Sequence, residues 1–121
     1  MDTSQELLQI AKNVMADDMA GFPAALREFF NYCQDMLEKY MKDNYPNQSE
    51  KLSMQEGRKF VKIMKNSGFG SGRSVWAFID KSNGDILKPA SWAAPAKHAR
   101  GNIFEKNTWR TIGPYGPAYL R

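Results

Sequence analysis

A chain of 121 residues with 42% hydrophobic and 25% charged side chains is long enough to bury one sizeable core, and a single domain is expected. Its composition excludes several protein classes: no apolar stretch approaches the ~20 residues of a membrane span, Cys33 has no second cysteine for an internal disulfide, and one cysteine with one histidine cannot supply a four-ligand Cys/His zinc site. Charge divides unevenly, with five Lys/Arg against ten Asp/Glu in residues 1–56 and twelve against three in residues 57–121, giving −5 and +9; such asymmetry points to a basic surface with an anionic partner, nucleic acid first, or to attraction between the two parts of a small domain.

The first predicted element is a helix. Thr3-Ser4-Gln5-Glu6 has capping-box spacing, and Leu7, Leu8, Ala11, Val14 and Met15 follow at three-and-four intervals, ending near Asp18 to Gly21. The same amino terminus has no basic region followed by an apolar run, so an unexported protein in a reducing compartment is expected, with no membrane partner.

A second, longer helix is predicted from Phe22-Pro23, where proline suits the first helical position. Leu26, Phe29, Phe30, Cys33, Met36, Leu37, Tyr40 and Met41 form its apolar stripe, and Tyr45-Pro46 stops it. Cys33 lies within that stripe, which reads as a buried structural position rather than a nucleophile.

From residue 47 the pattern changes to strands. Ser49-Glu50 and Gly57 could bracket a short helix, but Leu52 and Met54 alternate with Lys51, Ser53 and Gln55 as in a strand with a turn or bulge at Glu56-Gly57, and Phe60 to Met64 predicts another strand despite a lysine at every third position. Asn66 to Gly72 reads as a loop and Ser74 to Asp80 as a strand rich in β-branched and aromatic residues. Asn83-Gly84 supplies a hairpin turn, and Asp85 to Lys88 returns as a strand closed by Pro89. Beyond it, alanine-rich Ala93 to Arg100, closed by Gly101, predicts one or two helical turns. The tail, Gly113 to Arg121, is turn-forming yet aromatic, so it is expected to pack on the sheet.

The expected architecture is therefore α+β. Two amino-terminal helices (residues 1–46) pack on an antiparallel meander of three or four strands within a basic part (residues 47–121), which also carries short helical turns and an irregular C-terminal tail.

Within this second part, GRKFVKIMKNSGFGSGRSVWAFIDKSNGDILKPASWAAPAKHARGNIF, followed by GPYGPAYLR, resembles the carboxy-terminal region of small, functionally uncharacterised proteins of tailed phages found in marine viral sequence. The likeness covers about the last half of the chain and leaves Met1 to Asn47 unmatched. It implies a viral origin, hence the host cytoplasm or the virion as location, and an α+β fold. No activity and no catalytic residue come with it.

Candidate chemistries can be weighed against plainer roles. Gly68-Phe69-Gly70-Ser71-Gly72 lacks the following Gly-Lys-Ser/Thr of a phosphate loop and opens no helix, so it reads as a hairpin loop. Asp80 and Asp85 flank a turn whose backbone their carboxylates can bond, a structural reading preferred over an acid/base or magnesium pair. His98, within Lys97-His98-Ala99-Arg100, has no orienting acceptor or nucleophile in view. No catalytic residue, cofactor or metal site is assigned.

The sheet carries the strongest functional pattern. With Val75, Ala77 and Ile79 towards the helices, period two would put Trp76 and Phe78 on the opposite face, beside Phe60 and Lys62. Aromatics interleaved with Lys and Arg suit a single-stranded nucleic-acid platform; burial beneath the tail or a second subunit is the plainer expectation for that face. The sequence reading is thus a non-enzymatic phage accessory protein binding nucleic acid through Lys59, Lys62, Arg73, Lys88, Lys97, His98 and Arg100, with Trp76 or Trp92 stacking. The alternatives are a module acting on a host or phage protein and, third, an enzyme whose site is not legible in the sequence. Oligomeric state is left open, a homodimer included.

Overall fold

A computed structural model describes residues 21–67 and 72–118. The first predicted helix and Gly68 to Ser71 of the glycine-rich loop lie outside the described residues. The helix Phe22–Asn44 (α1) begins with Pro23 in its first turn, and after it Tyr45 leaves helical geometry while its N–H still donates to Met41 O. Phe29, Cys33, Leu37 and Met41 recur every fourth residue on its buried side, with Leu26, Phe30, Met36 and Tyr40 half-buried beside them. That is the stripe the periodicity predicts.

Five strands follow: Glu50–Glu56 (β1), Phe60–Ser67 (β2), Arg73–Asp80 (β3), Asp85–Pro89 (β4) and Pro95–Asn102 (β5). Each pairs antiparallel with the next, in the order β1-β2-β3-β4-β5. The fold class is α+β, as expected, but with five strands rather than three or four. The additional strand is β5, which replaces the predicted helical turns at Ala93 to Arg100. Alanine's helix preference amounts to tenths of a kcal/mol per residue, and pairing with β4 overrides it. Gly101 caps no helix; it faces Ile86 in the ladder and lies against Thr108, where a Cβ would meet the hydroxyl at 3.0 Å.

The predicted Asn83-Gly84 turn is present. Gly84 has φ +82°, its N–H donates to Asp80 O, and Asn83 Oδ1 accepts from Asp85 N–H. Asp80 accepts from the N–H and Oγ of Ser82, while Asp85 accepts from Asn102 Nδ2. The Asp80 carboxylate therefore holds the turn, while that of Asp85 ties β4 to β5 through Asn102.

The 3-10 helix Lys106–Thr111 and a small antiparallel pair, Ile112–Gly113 (β6) with Gly116–Pro117 (β7), complete the described chain. The tail is thus more regular than expected. Trp109 packs edge-on against Phe29 at 5.3 Å and beside Tyr32 at 5.2 Å, and its Nε1 donates to Asn102 O.

The main core lies between α1 and one face of the sheet. There Leu52, Val61, Ile63, Ala77, Ile79 and Ile86 meet the helical stripe, Ile103, Trp109 and Ile112. Both outer strands have backbone groups occupied: Leu52 N–H of β1 donates to Gln34 Oε1 of α1, and on β5 Asn102 N–H donates to Thr108 Oγ1 while Arg100 O accepts from Thr111 Oγ1. Such contacts blunt strand edges that would otherwise recruit further strands.

Candidate nucleic-acid interface

The face of the sheet turned away from α1 is set by register. Leu52, Val61, Ile63, Ala77 and Ile79 belong to the main core, so their pleat neighbours Phe60, Lys62 and Phe78 point to the other, outer face. Lys62 and Phe78 are cross-strand partners, and Phe78 in turn faces Leu87.

Between β2 and β3 this alternation breaks. Ile63 pairs with Ala77 and Met64 with Val75, which leaves Trp76 as the extra residue of a β-bulge. Trp76 consequently joins Ala77 in the main core, 3% exposed, and its Nε1 donates to Pro114 O at 3.1 Å. Gly116 closes over it so tightly that a Cβ would approach Trp76 O to 2.6 Å. The expectation that Trp76 stacks on a base from the outer face is corrected: the bulge turns it inward, and the tail covers it on the helix side. Phe78 does lie on the outer face, but buried, edge-on to Phe60 at 5.8 Å.

Trp92 occupies the outer face instead. The β4–β5 connection folds on itself: Ala90 and Ser91 N–H both donate to Ala94 O, and Ser91 Oγ accepts from the N–H groups of Ala93 and Ala94. The turn lays the Trp92 ring beside Lys62, with the ammonium 4.3 Å from the ring centroid and the Arg73 guanidinium carbon at 6.0 Å. Lys62 also reaches the Phe78 ring, at 5.8 Å. Trp92 remains 47% exposed. A groove of about 250 Å³ runs alongside, with Arg58, Lys59, Phe60, Lys62, Phe78 and Ala93 among its walls.

The predicted basic residues thus separate into three groups. Lys59, Lys62 and Arg73 gather around Trp92 and its groove. Lys88 and Arg100 lie against the tail: Lys88 Nζ donates to Pro117 O at 2.9 Å and Arg100 Nε to Ala118 O at 3.1 Å. Burial first, then the neighbouring Arg100 charge, lowers the Lys88 ammonium from its usual range. Lys97 and His98 are exposed on β5, where the register with β4 shifts; β4 separates them from the strand that carries Arg73.

Ion pairs among the described residues engage Lys39, Lys65, Lys81 and Lys106, leaving Lys59, Lys62 and Arg73 without a carboxylate within that reach. Three cations and a half-exposed indole can bind a flat, anionic ligand by charge and by stacking. Cys33 lies apart, fully buried under α1, and burial pushes its thiol well above the usual range, consistent with a packing role.

The chain belongs to a family of unknown function (DUF7717). Its model matches residues 4–112, a span that includes every strand of the main sheet and the Lys62, Arg73 and Trp92 cluster. No curated protein and no solved structure matches the chain. The DUF7717 match ends at Ile112, before the Pro114 to Ala118 carbonyls that Trp76, Lys88 and Arg100 hold.

The sequence reading missed Arg58 and Ala93 as groove residues. Arg58 was detectable as the first cation of the basic run; Ala93 was not, because its position depends on a turn that composition presents as helical. It also put Trp76 first on the outer face with Trp92 as the alternative for stacking, and no local signal announces the bulge that turns Trp76 inward.

Proposed function

We propose that this protein is a non-enzymatic accessory protein of a tailed phage, acting in the host cytoplasm, that binds single-stranded nucleic acid across the outer face of its sheet. The observation that carries the reading is Trp92, half-exposed beside two cations with no carboxylate partner among the described residues, Lys62 at 4.3 Å and Arg73 at 6.0 Å. An indole offers a stacking surface to any base, and Lys59, Lys62 and Arg73 lie where a phosphate backbone could follow the groove. Lys97 and His98 would extend the basic track at the β5 edge. The phage assignment is supported by the resemblance of the carboxy-terminal half, and the basic balance of residues 57–121 agrees with an anionic partner.

The test is titration of a labelled single-stranded oligonucleotide over a range of salt. Three neutralised phosphates give a log–log slope of about −2, roughly −0.7 for each; Arg73→Ala should make it shallower by about that increment. Absence of binding at low salt to single- or double-stranded DNA or RNA would remove this reading and favour a module that binds a host or phage protein.

A further inference from the structure

On the helix side of the sheet, away from Trp92, three tyrosines converge from separate parts of the chain. Tyr40 comes from the last turns of α1, Tyr45 from the residue that ends it, and Tyr115 from the turn between β6 and β7. Tyr40 and Tyr115 share a 2.7 Å hydrogen bond between their hydroxyls, and their rings meet edge to face at 5.7 Å and 72°. Tyr45 tilts against Tyr40 at 6.2 Å and 57°. The rings border a recess of about 200 Å³ that also includes Glu50 and Lys65. Lys65 lies opposite Leu52 in the β1–β2 register, diagonal to Glu50. Its ammonium sits 3.4 Å from the Glu50 carboxylate and 5.7 Å from the Tyr115 ring centroid.

An ammonium ion thus already sits between the Tyr115 ring and one carboxylate, the combination that recognises organic cations. We propose that Tyr40, Tyr45, Tyr115 and Glu50 form a receptor for a quaternary or methylated ammonium group, with Lys65 as the resident cation that an incoming ligand displaces. The recess is accessible, since Tyr45 is 45% and Tyr115 69% exposed. Aromatic faces favour methylated ammonium over ammonium because methyl groups remove donors that would otherwise demand water or acceptors, while the charge stays for the ring quadrupole and carboxylate. The hydrogen bond shared with Tyr115 pushes the Tyr40 hydroxyl up to about 12. The site is independent of the nucleic-acid reading, since it lies on the opposite face and shares no residue with it.

Choline can be titrated into the full chain while the tyrosine ring signals are followed by NMR, with the neutral isostere 3,3-dimethylbutan-1-ol as control. Choline should shift the rings of Tyr40, Tyr45 and Tyr115 saturably, and the alcohol should not. Lys65→Met retains the apolar stem without the charge, and should bind choline about tenfold more tightly because the competing cation is gone. Lys65→Gln gives an independent reading of the same effect. Adding Glu50→Gln to either variant should reverse the gain. Trimethyl-lysine and unmodified lysine versions of one short peptide distinguish a modified protein segment from a free small cation as the natural source. No saturable shift in either Lys65 variant, equal affinity for choline and the alcohol, or an affinity indifferent to removal of Lys65 would overturn the proposal.

Discussion

Lys62 and Trp92 meet on the outer face of the sheet with the ammonium 4.3 Å from the indole centroid, one from a central stretch of β2 and the other from the β4–β5 turn. The same ammonium lies 5.8 Å from the Phe78 ring centroid, so it is held by two aromatic side chains and in turn orients the Trp92 ring. Lys62→Ala should therefore free Trp92 without unfolding the protein. Exposed contacts of this kind contribute about 0.5–1 kcal/mol, so the expected result is a small loss of stability with a clear fall in Trp92 fluorescence anisotropy. Trp76→Phe and Trp109→Phe in the background isolate the signal. Unchanged anisotropy would mean that Lys62 does not position the ring.

The two tryptophans that the sequence offers for stacking should differ sharply in their effect on stability. Trp76→Ala empties a core position and removes the partner of Pro114 O, for an expected cost of about 3–5 kcal/mol. Trp92→Ala, at a half-exposed site, should cost about 1 kcal/mol or less. Equal denaturation midpoints would contradict the placement of Trp76.

That contrast also marks where the sequence is legible. The α1 stripe was readable because Phe29, Cys33, Leu37 and Met41 are set by helical geometry alone, and the Asn83-Gly84 turn because glycine suits the positive φ at Gly84. The face of Trp76 was not, since it depends on a bulge created by the register between β2 and β3, a relation between segments. β5 was hidden for a similar reason: its alanines favour a helix when taken alone, and only β4 supplies the pairing that makes them a strand. Of the candidate site, Lys59, Lys62, Arg73 and Trp92 were legible as basic and aromatic residues, but their assembly around Trp92 required the Ser91 to Ala94 turn. Lys88 and Arg100 were legible as cations, whereas the carbonyls they hold lie in a tail distant in sequence.

Two glycines with positive φ should respond differently to alanine. At Gly84 (φ +82°) the added Cβ would come within 2.7 Å of the Phe104 ring, which is partly exposed and can move. At Gly116 (φ +99°) it would meet the Trp76 backbone oxygen at 2.6 Å, in a strand that cannot shift alone. Gly84→Ala is expected to cost about 1–2 kcal/mol and Gly116→Ala more than about 3 kcal/mol, from backbone strain together with the clash. Chemical denaturation of both variants measures the difference; equal costs would argue against a tail closed over Trp76.

The tyrosine pair predicts an alkaline signature. The Tyr115 hydrogen bond raises Tyr40 to about 12, above the value of about 10 for an unfolded tyrosine. A raised folded value favours the protonated form, so the associated stability is fully present below about pH 10 and falls as pH rises towards 12. Phenolate absorbance should show one late-titrating tyrosine, and Tyr115→Phe should bring that titration down towards the ordinary range. A wild-type curve with all the tyrosines titrating together would argue against the pair.

The most direct test of the outer face as a nucleic-acid platform compares wild type with Trp92→Ala for binding to a single-stranded oligonucleotide at several salt concentrations. Base stacking on an indole is worth about 1–3 kcal/mol, so the variant should bind about 5- to 150-fold more weakly at every salt concentration, with the salt slope preserved because Lys59, Lys62 and Arg73 remain. Folded Trp92→Ala protein that binds as tightly as wild type, or wild type that binds no oligonucleotide at low salt, would contradict the account.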